Sequence, residues 1–353
     1  MTSQARPEGS LASIFERLIA SHGPISVSHY MAESNARYYG GRDPLGEQGD
    51  FITAPEISQM FGELIGLWLA DMWVKAGRED LVHYVELGPG HGTLAKDVLA
   101  TTRRYGLEPK VHFVETSLIL RDIQLATVSQ AKFHDDLSTV PPYGPVLIVG
   151  NEFLDALPVR QLVMTGDGWR ERMVGWRDGQ FAFVAGDKPM DSAVPEAMRA
   201  AGPGTIVETC PGAAASLYEI AGRLVKQGGA ALLIDYGHHA PRTGSTLQAL
   251  RQHRMVDALA MPGEADLTAH VDFSALAPIA QSRGARWLGT VPQGHWLRQL
   301  GIEVRAERLA RVAPEHREAI FAAMERLIGE GQMGALFKVM GLAGPDWRGG
   351  EGF

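Results

Sequence analysis

Only one cysteine, Cys210, occurs in 353 residues. That excludes an internal disulfide and fits a reducing compartment. A lone cysteine before Pro211 reads as structural. Basic excess is also lacking, since the net charge is −8. An acidic chain gains no general attraction to phosphate backbones, which argues against a nucleic acid substrate. No apolar run approaches the roughly 20 residues of a membrane-spanning helix, so no membrane insertion is expected. The stretch Met1 to Gly9 has no signal-peptide core, and Leu11–Ile19 carries Glu16, unlike an Arg-rich, acid-poor transit peptide. A bacterial cytoplasmic protein is the expectation. With 45% hydrophobic and 21% charged residues, the chain can form one large domain with additions or two domains.

What is present starts with one stretch. Val82-His83-Tyr84-Val85-Glu86-Leu87-Gly88-Pro89-Gly90-His91-Gly92-Thr93 reads as an apolar strand ending near a carboxylate, then a glycine turn, then a helix. Glycines let backbone approach a ligand, and a helix N-terminus offers N–H groups to it. A dinucleotide fold wants G-x-G-x-x-G. Here Thr93 stands where that third glycine belongs, which disfavours a nicotinamide-dependent oxidoreductase. The Glu-x-Gly-x-Gly-x-Gly spacing resembles the S-adenosylmethionine loop of Rossmann-like methyltransferases.

From residue 81 strands and helices alternate. Strands are expected at His83–Leu87, Val111–Glu115, Ala131–His134, Val146–Gly150 and Ala230–Tyr236. Helices are expected at Thr93–Tyr105, Ser117–Val128 and Gly212–Lys226. Such alternation predicts an α/β fold with a parallel sheet, and ligands bind beyond the carboxyl ends of its strands. Residues 1–80 read as an N-terminal helical extension, periodic at Leu11–Ala20 and Ile57–Lys75, with a glycine-rich loop at 39–56. Thr53 can cap a helix beginning near Pro55. Residues 81–353 then form the main domain, with insertions at about 159–205 and 238–272. The first insertion is β-rich, with turn signals at 166–168 and 178–179; the second reads as irregular. A helix at Phe273–Arg283, a strand at Arg286–Thr290, helical material at Trp296–Ile328 and a last strand at Leu336–Gly341 close the pattern with an antiparallel hairpin.

Several side chains carry chemistry in this frame. Glu86 would organise the glycine loop and meet a cofactor ammonium, or stand as a plain strand-end carboxylate. Glu115 ends the second strand, where a carboxylate accepts both ribose hydroxyls of a nucleoside. Asp135, Asp136 and Leu137 follow the third strand, at the edge that meets adenine, or form a solvated loop. Asn151, Glu152 and Asp155 follow the fourth. The two carboxylates share a face if Asn151 caps a helical turn. A pair of carboxylates can hold the rigid five-donor fork of a guanidinium; alternatively Asn151 and Glu152 only bind cofactor. His238, His239, His253 and His270 match no regular zinc spacing, and no metal is expected. Met60, Trp68, Met72 and Trp73 read as core. The charges from Arg305 to Glu318 read as a solvated helical face.

These residues together resemble the MidA family, which includes a mitochondrial complex I assembly-factor arginine methyltransferase and bacterial relatives. The segments Gly49–Glu63, Glu86–Leu94, Asn151–Val159, Asp235–Gly237, Pro262–Phe273 and Phe337–Val339 are similar to its blocks in the same order. His91 stands where Arg is expected, and Ala54 where Ser is common. The resemblance implies a class I methyltransferase sheet and S-adenosylmethionine as cofactor. Gly88, Gly90, Gly92 and Glu115 would bind it, Thr53 and Pro55 would lie in a loop folded over it, and Asn151 and Glu152 would face the methyl group. For the mitochondrial member it implies symmetric ω-N-dimethylation of an arginine in a complex I subunit. The expectation is therefore a protein arginine N-methyltransferase with an arginine-bearing protein substrate, compatible with a homodimer. A non-catalytic assembly chaperone on the same fold is the alternative.

Overall fold

The computed structural model describes residues 9–41, 43, 46 and 49–353. Residues 1–8 of the polar N-terminal stretch, and 42, 44–45 and 47–48 of the glycine-rich loop, lie outside the described residues.

The chain forms two compact units, each discontinuous in sequence. One comprises Met1–Pro44, Ala156–Gly212 and Arg242–His270; the other comprises Leu45–Asp155, Ala213–Pro241 and Val271–Phe353. In chain order, α1 (Leu11–His22), β1 (Ile25–Ser26) and α2 (Val27–Gly41) begin the first unit. The second unit takes α3 (Ala54–Ile57), α4 (Gln59–Lys75), β2 (His83–Leu87), α5 (Thr93–Arg103), β3 (Lys110–Val114), α6 (Leu118–Thr127), β4 (Lys132–His134) and β5 (Val146–Asn151). Strands β6 (Arg160–Thr165), β7 (Gly168–Arg177), β8 (Gln180–Pro189) and β9 (Ile206–Thr209) belong to the first, then α7 (Pro211–Gln227) and β10 (Gly229–His238) to the second. The first unit closes with β11 (Gln248–Arg251), β12 (Arg254–Val256) and β13 (Asp266–Thr268). The second closes with β14 (Val271–Asp272), α8 (Phe273–Ser282), β15 (Arg286–Pro292), α9 (Gln293–Gln299), α10 (Ile302–Val312), α11 (Arg317–Ile328), α12 (Met333–Leu336) and β16 (Phe337–Ala343).

The second unit is built on one sheet in the order β15-β16-β10-β5-β2-β3-β4, with β14 beside β10. Strands β10, β5, β2, β3 and β4 run parallel, and β16 is antiparallel to both its neighbours. Every residue of β5 is buried, as a central strand covered on both faces requires. The chain runs outward from β2 to β3 and β4 on one side, and β5 lies on the other side of β2. The β2/β5 boundary is thus the topological switch point, where such sheets hold ligands. Leu87 pairs with Gly150, so β2 and β5 end at the same level. Met60, Trp68, Met72 and Trp73 lie in this unit's core, as their spacing predicts. The expected strands and helices appear within a few residues, including the β15–β16 hairpin; β3 ends at Val114, leaving Glu115 just beyond it. Among the charges expected on a solvated face, Arg305 instead forms a two-point ion pair with Glu63 at 2.5 and 2.6 Å.

In the first unit, β6, β7 and β8 form the expected antiparallel insertion, extended by β9 beside β6 and β1 beside β7. Asp178 and Gly179 both have positive φ, 49° and 78°, the geometry of a tight hairpin turn. Residues 238–272, expected to be irregular, contain instead the antiparallel sheet β12-β11-β13. Its β11–β12 turn places Gln252 and His253 at φ 49° and 59°. The turn uses no glycine or proline, so the usual signature was absent. Asn35 of α2 fixes β13, its amide donating to Leu267 O at 2.8 Å and accepting from Leu267 N–H at 3.1 Å. Among the described residues, no helix is long and apolar enough to cross a membrane.

Candidate active site

The glycine turn follows β2 at the switch point. Tyr84 and Glu86 are two apart on a strand and so share a face. The Tyr84 hydroxyl donates to Glu86 Oε2 at 2.6 Å. Glu86 is 2% exposed, and its burial pushes the carboxyl up to about 8. Gly88, Gly90 and Gly92 have φ of 60°, 56° and 78°, values that suit glycine. A Cβ on Gly88 would also lie 3.3 Å from the Phe153 ring. The loop is closed internally: Gly88 N–H donates to Val114 O at 3.0 Å and Gly92 N–H to Pro89 O at 2.8 Å. These two N–H groups therefore frame the turn.

Glu115 lies beside the turn. Its Oε1 accepts from Ser117 N–H at 2.7 Å and its Oε2 from Gln124 Nε2 at 3.3 Å. Gln124 Nε2 also donates to Gly90 O at 2.8 Å, joining the two elements. Arg121 Nε donates to Glu115 O at 2.7 Å, and its Nη2 to Asp135 Oδ1 at 2.6 Å. Asp136 accepts from Ser138 N–H at 2.8 Å and opens the short 3₁₀ turn Leu137–Thr139, in which Leu137 is buried. Sequence alone does not single out Arg121 and Gln124. Their signal is weak, since each is an ordinary polar residue on a helix.

The loop after β5 departs from the expected helical turn. Glu152 has φ 52°, a left-handed conformation that excludes helix. Its N–H donates to Ile234 O at 2.9 Å. Glu152 Oε1 accepts from Asn151 Nδ2 and from Ala54 N–H, both at 3.1 Å. Asp155 is brought near by a different device. The Asp235 carboxylate, 1% exposed, accepts Leu154 N–H at 2.9 Å and Asp155 N–H at 3.2 Å. Its other oxygen accepts Tyr236 N–H at 3.0 Å. Desolvation, with Asp155 and Glu56 charges nearby, pushes Glu152 up to about 8. Burial, then the charges of Asp155 and Glu152, pushes Asp235 well up also. Three carboxyl groups that repel one another form a cluster that favours a cation.

The single-turn α3 begins after Thr53 as predicted, with Pro55 in its first turn. Glu56 Oε2 accepts Thr53 N–H at 3.3 Å, and Glu56 Oε1 lies 2.9 Å from His91 Nδ1. Of the downstream histidines, His238 is 3.6 Å from Asp272, and His270 is 3.5 Å from Arg242. Among the described residues, no group of three or more His, Cys, Asp or Glu could hold a metal ion.

A cationic nucleoside suits this arrangement. Gln124 Oε1 and Asn151 Oδ1 are buried without a hydrogen-bond partner, one beside Glu115 and the other beside Glu152. Buried polar atoms are normally paired, so both mark places where a ligand can donate. The glycine turn allows close backbone approach, Glu115 could offer a carboxylate fork to a diol, and the acids near Glu152 favour positive charge. Comparison with known proteins agrees with this donor set. Residues 64–291 match the family described as "Putative S-adenosyl-L-methionine-dependent methyltransferase". The human protein arginine methyltransferase NDUFAF7, mitochondrial, is 37% identical, over 92% of this chain and 81% of its own length. Its Drosophila melanogaster homolog is 36% identical, over 95% and 85%. A methyl transferase-like protein from Burkholderia thailandensis, solved with S-adenosyl-homocysteine bound, superposes with a TM-score of 0.83 at 30% identity, covering 99% of this chain and 97% of its own. The chain therefore belongs to this methyltransferase family, and S-adenosylmethionine is its cofactor.

Proposed function

We propose that this methyltransferase acts on a protein arginine, adding methyl groups to ω nitrogens to give symmetric dimethylarginine. The observation that carries the reading is the carboxylate group of Glu152, Asp155 and Asp235 at the carboxyl end of β5 and β10. A guanidinium is the side chain whose fixed charge and fork of donors answer such a group. The arginine methyltransferase relatives support the same acceptor. A respiratory complex I subunit as the substrate protein rests on the MidA resemblance.

In this reading Gly88, Gly90, Gly92 and Glu115 would hold the cofactor, with Asp135, Asp136 and Leu137 at the adenine edge and Glu86 beneath the turn. Thr53 and Pro55 would cover it, and Asn151 Oδ1 would accept from it or from the acceptor. When bound, the cofactor supplies a methyl group on a sulfonium, open to in-line displacement. Glu152 and Asp155 would orient the guanidinium so that one nitrogen faces that group, and positioning supplies most of the rate. Methylation of a guanidinium nitrogen releases one proton. Glu152, its carboxyl pushed up to about 8, would take it in the ionised form.

The test is intact-mass analysis of arginine-bearing protein captured from a host lysate after incubation with S-adenosylmethionine. Gains of about 14 and 28 Da support the reading. A stable complex with no mass gain sinks it and favours the chaperone. We place the protein in the bacterial cytoplasm; the single cysteine supports a reducing compartment only. Light scattering on the purified chain distinguishes monomer from homodimer.

A further inference from the structure

The residues around α3 form a continuous path between the two halves of the site. At one end, His91 belongs to the glycine turn. Its Nδ1 lies 2.9 Å from Glu56 Oε1. The second oxygen of Glu56 accepts the N–H of Thr53, at 3.3 Å. The next N–H, of Ala54, donates to Glu152 Oε1 at 3.1 Å. Glu152 in turn accepts from Asn151 at 3.1 Å. One carboxylate thus ties the turn that would cover the cofactor to the glycine turn that would hold it. The same short helix delivers a backbone donor to the residue at the acceptor side. Among the side chains of α3 only Glu56 offers a polar tie, since Ala54, Pro55 and Ile57 carry no polar side-chain atoms and pack as apolar groups.

We propose that Glu56 is a positioning residue, whose contact with His91 clasps α3 over the glycine turn and thereby governs cofactor release and the setting of Glu152. The proposal rests on the cofactor lying at the glycine turn. Two features argue for a clasp over simple packing. Both oxygens of Glu56 are used, one for its own helix and one for the partner loop, so the side chain is fixed at both ends. The charge of Glu56 also reaches Glu152, helping to push its carboxyl up, so a shift of α3 changes the acceptor side electrically as well as sterically. His91 fills the role with an imidazole; an arginine there could reach a carboxylate with permanent charge and two donors.

The test needs no methyl acceptor. Dissociation of S-adenosylhomocysteine is followed by stopped-flow competition in the full chain and in Glu56→Gln, His91→Ala, the double variant and His91→Arg. Loss of one charge-assisted contact predicts release about tenfold faster in each of the first two. The double variant should release no faster than either single one, because both remove the same contact. His91→Arg should return release to the unaltered rate or slower. Additive effects, unchanged rates, or failure of His91→Arg to rescue would each overturn the clasp. If Glu56→Gln does not fold, the His91→Ala and His91→Arg pair decides alone, with the same expected directions. An unaltered chain that binds no S-adenosylhomocysteine overturns the cofactor placement itself, which separates that failure from failure of the clasp.

Discussion

Replacing Glu152 by glutamine tests burial and function with one change. The carboxyl moves from 4.5 to about 8, mainly by desolvation. At about 1.36 kcal/mol per tenfold change in proton affinity, that is at most roughly 5 kcal/mol against the ionised form. Glu152 keeps partial contact with solvent, so about 2–3 kcal/mol is the expected effect. The direction follows from linkage. The folded protein holds this proton between about 4.5 and 8, where the unfolded chain has lost it. Stability is therefore full below 4.5 and falls as pH rises through that window. Glutamine does not titrate and keeps an oxygen for Ala54 N–H. Urea denaturation at pH 4, 7 and 9 should show equal stability at pH 4 and a variant about 2–3 kcal/mol more stable at pH 9. On the proposed acceptor role, methyl transfer should fall at least 100-fold. In the unaltered enzyme the rate should rise toward pH 8, as the ionised fraction grows from about one tenth at pH 7 to about one half at pH 8. A stability difference that is the same at every pH refutes the burial argument. Full activity in Glu152→Gln refutes the acceptor role.

Other outcomes follow from the same geometry. Gly88→Ala combines a φ of 60° with a Cβ 3.3 Å from Phe153, so S-adenosylhomocysteine affinity by calorimetry should drop more than about tenfold; unchanged affinity would show that the turn relaxes freely. Asp235→Ala leaves three N–H groups without their acceptor, and should cost about 3 kcal/mol in denaturant unfolding, with Asp235→Asn costing less. Equal losses in the two would place the effect in packing. In the second unit, His83, His112 and His134 form a hydrogen-bonded chain at 2.9 Å spacings across β2, β3 and β4. Burial lowers His112 to about 4, so stability should fall by up to roughly 3 kcal/mol as pH drops from 6.5 toward 4. His112→Gln should flatten that slope, and an unaltered slope would assign acid lability elsewhere.

Regular periodicity made the second unit legible. A strand such as β5, apolar throughout, and a helix such as α5, opened by Gly92, announce themselves by local composition. The glycine turn and Glu115 are legible as positions, because each follows directly from the end of a strand. Elements whose polar residues face inward were not. Helix α2 buries Ser34 and Asn35 beside Tyr30 and Tyr38, which blurs its apolar stripe. The β11–β12 turn places Gln252 and His253 in a conformation that sequence signatures reserve for glycine and asparagine. Asp235 was visible only as part of a motif, because its work is to accept N–H groups some 80 residues earlier in the chain.

The same reasoning explains how the acids near Glu152 come together without a helix. A non-glycine residue at φ 52° costs on the order of 1–3 kcal/mol and persists only where its surroundings leave no alternative. Here the strand neighbour takes Glu152 N–H, and the next two contacts, Leu154 and Asp155 N–H, converge on one buried carboxylate. A helical turn would have satisfied those N–H groups internally and pointed Glu152 and Asp155 along its own face. The left-handed step lets Glu152 meet Ala54 N–H, while Asp235 anchors the chain behind it. Backbone donors therefore favour charge on Asp235 and Glu152, while burial and mutual repulsion oppose it. A guanidinium entering this group would relieve the repulsion, so acceptor binding should draw protons off the site even before methyl transfer begins.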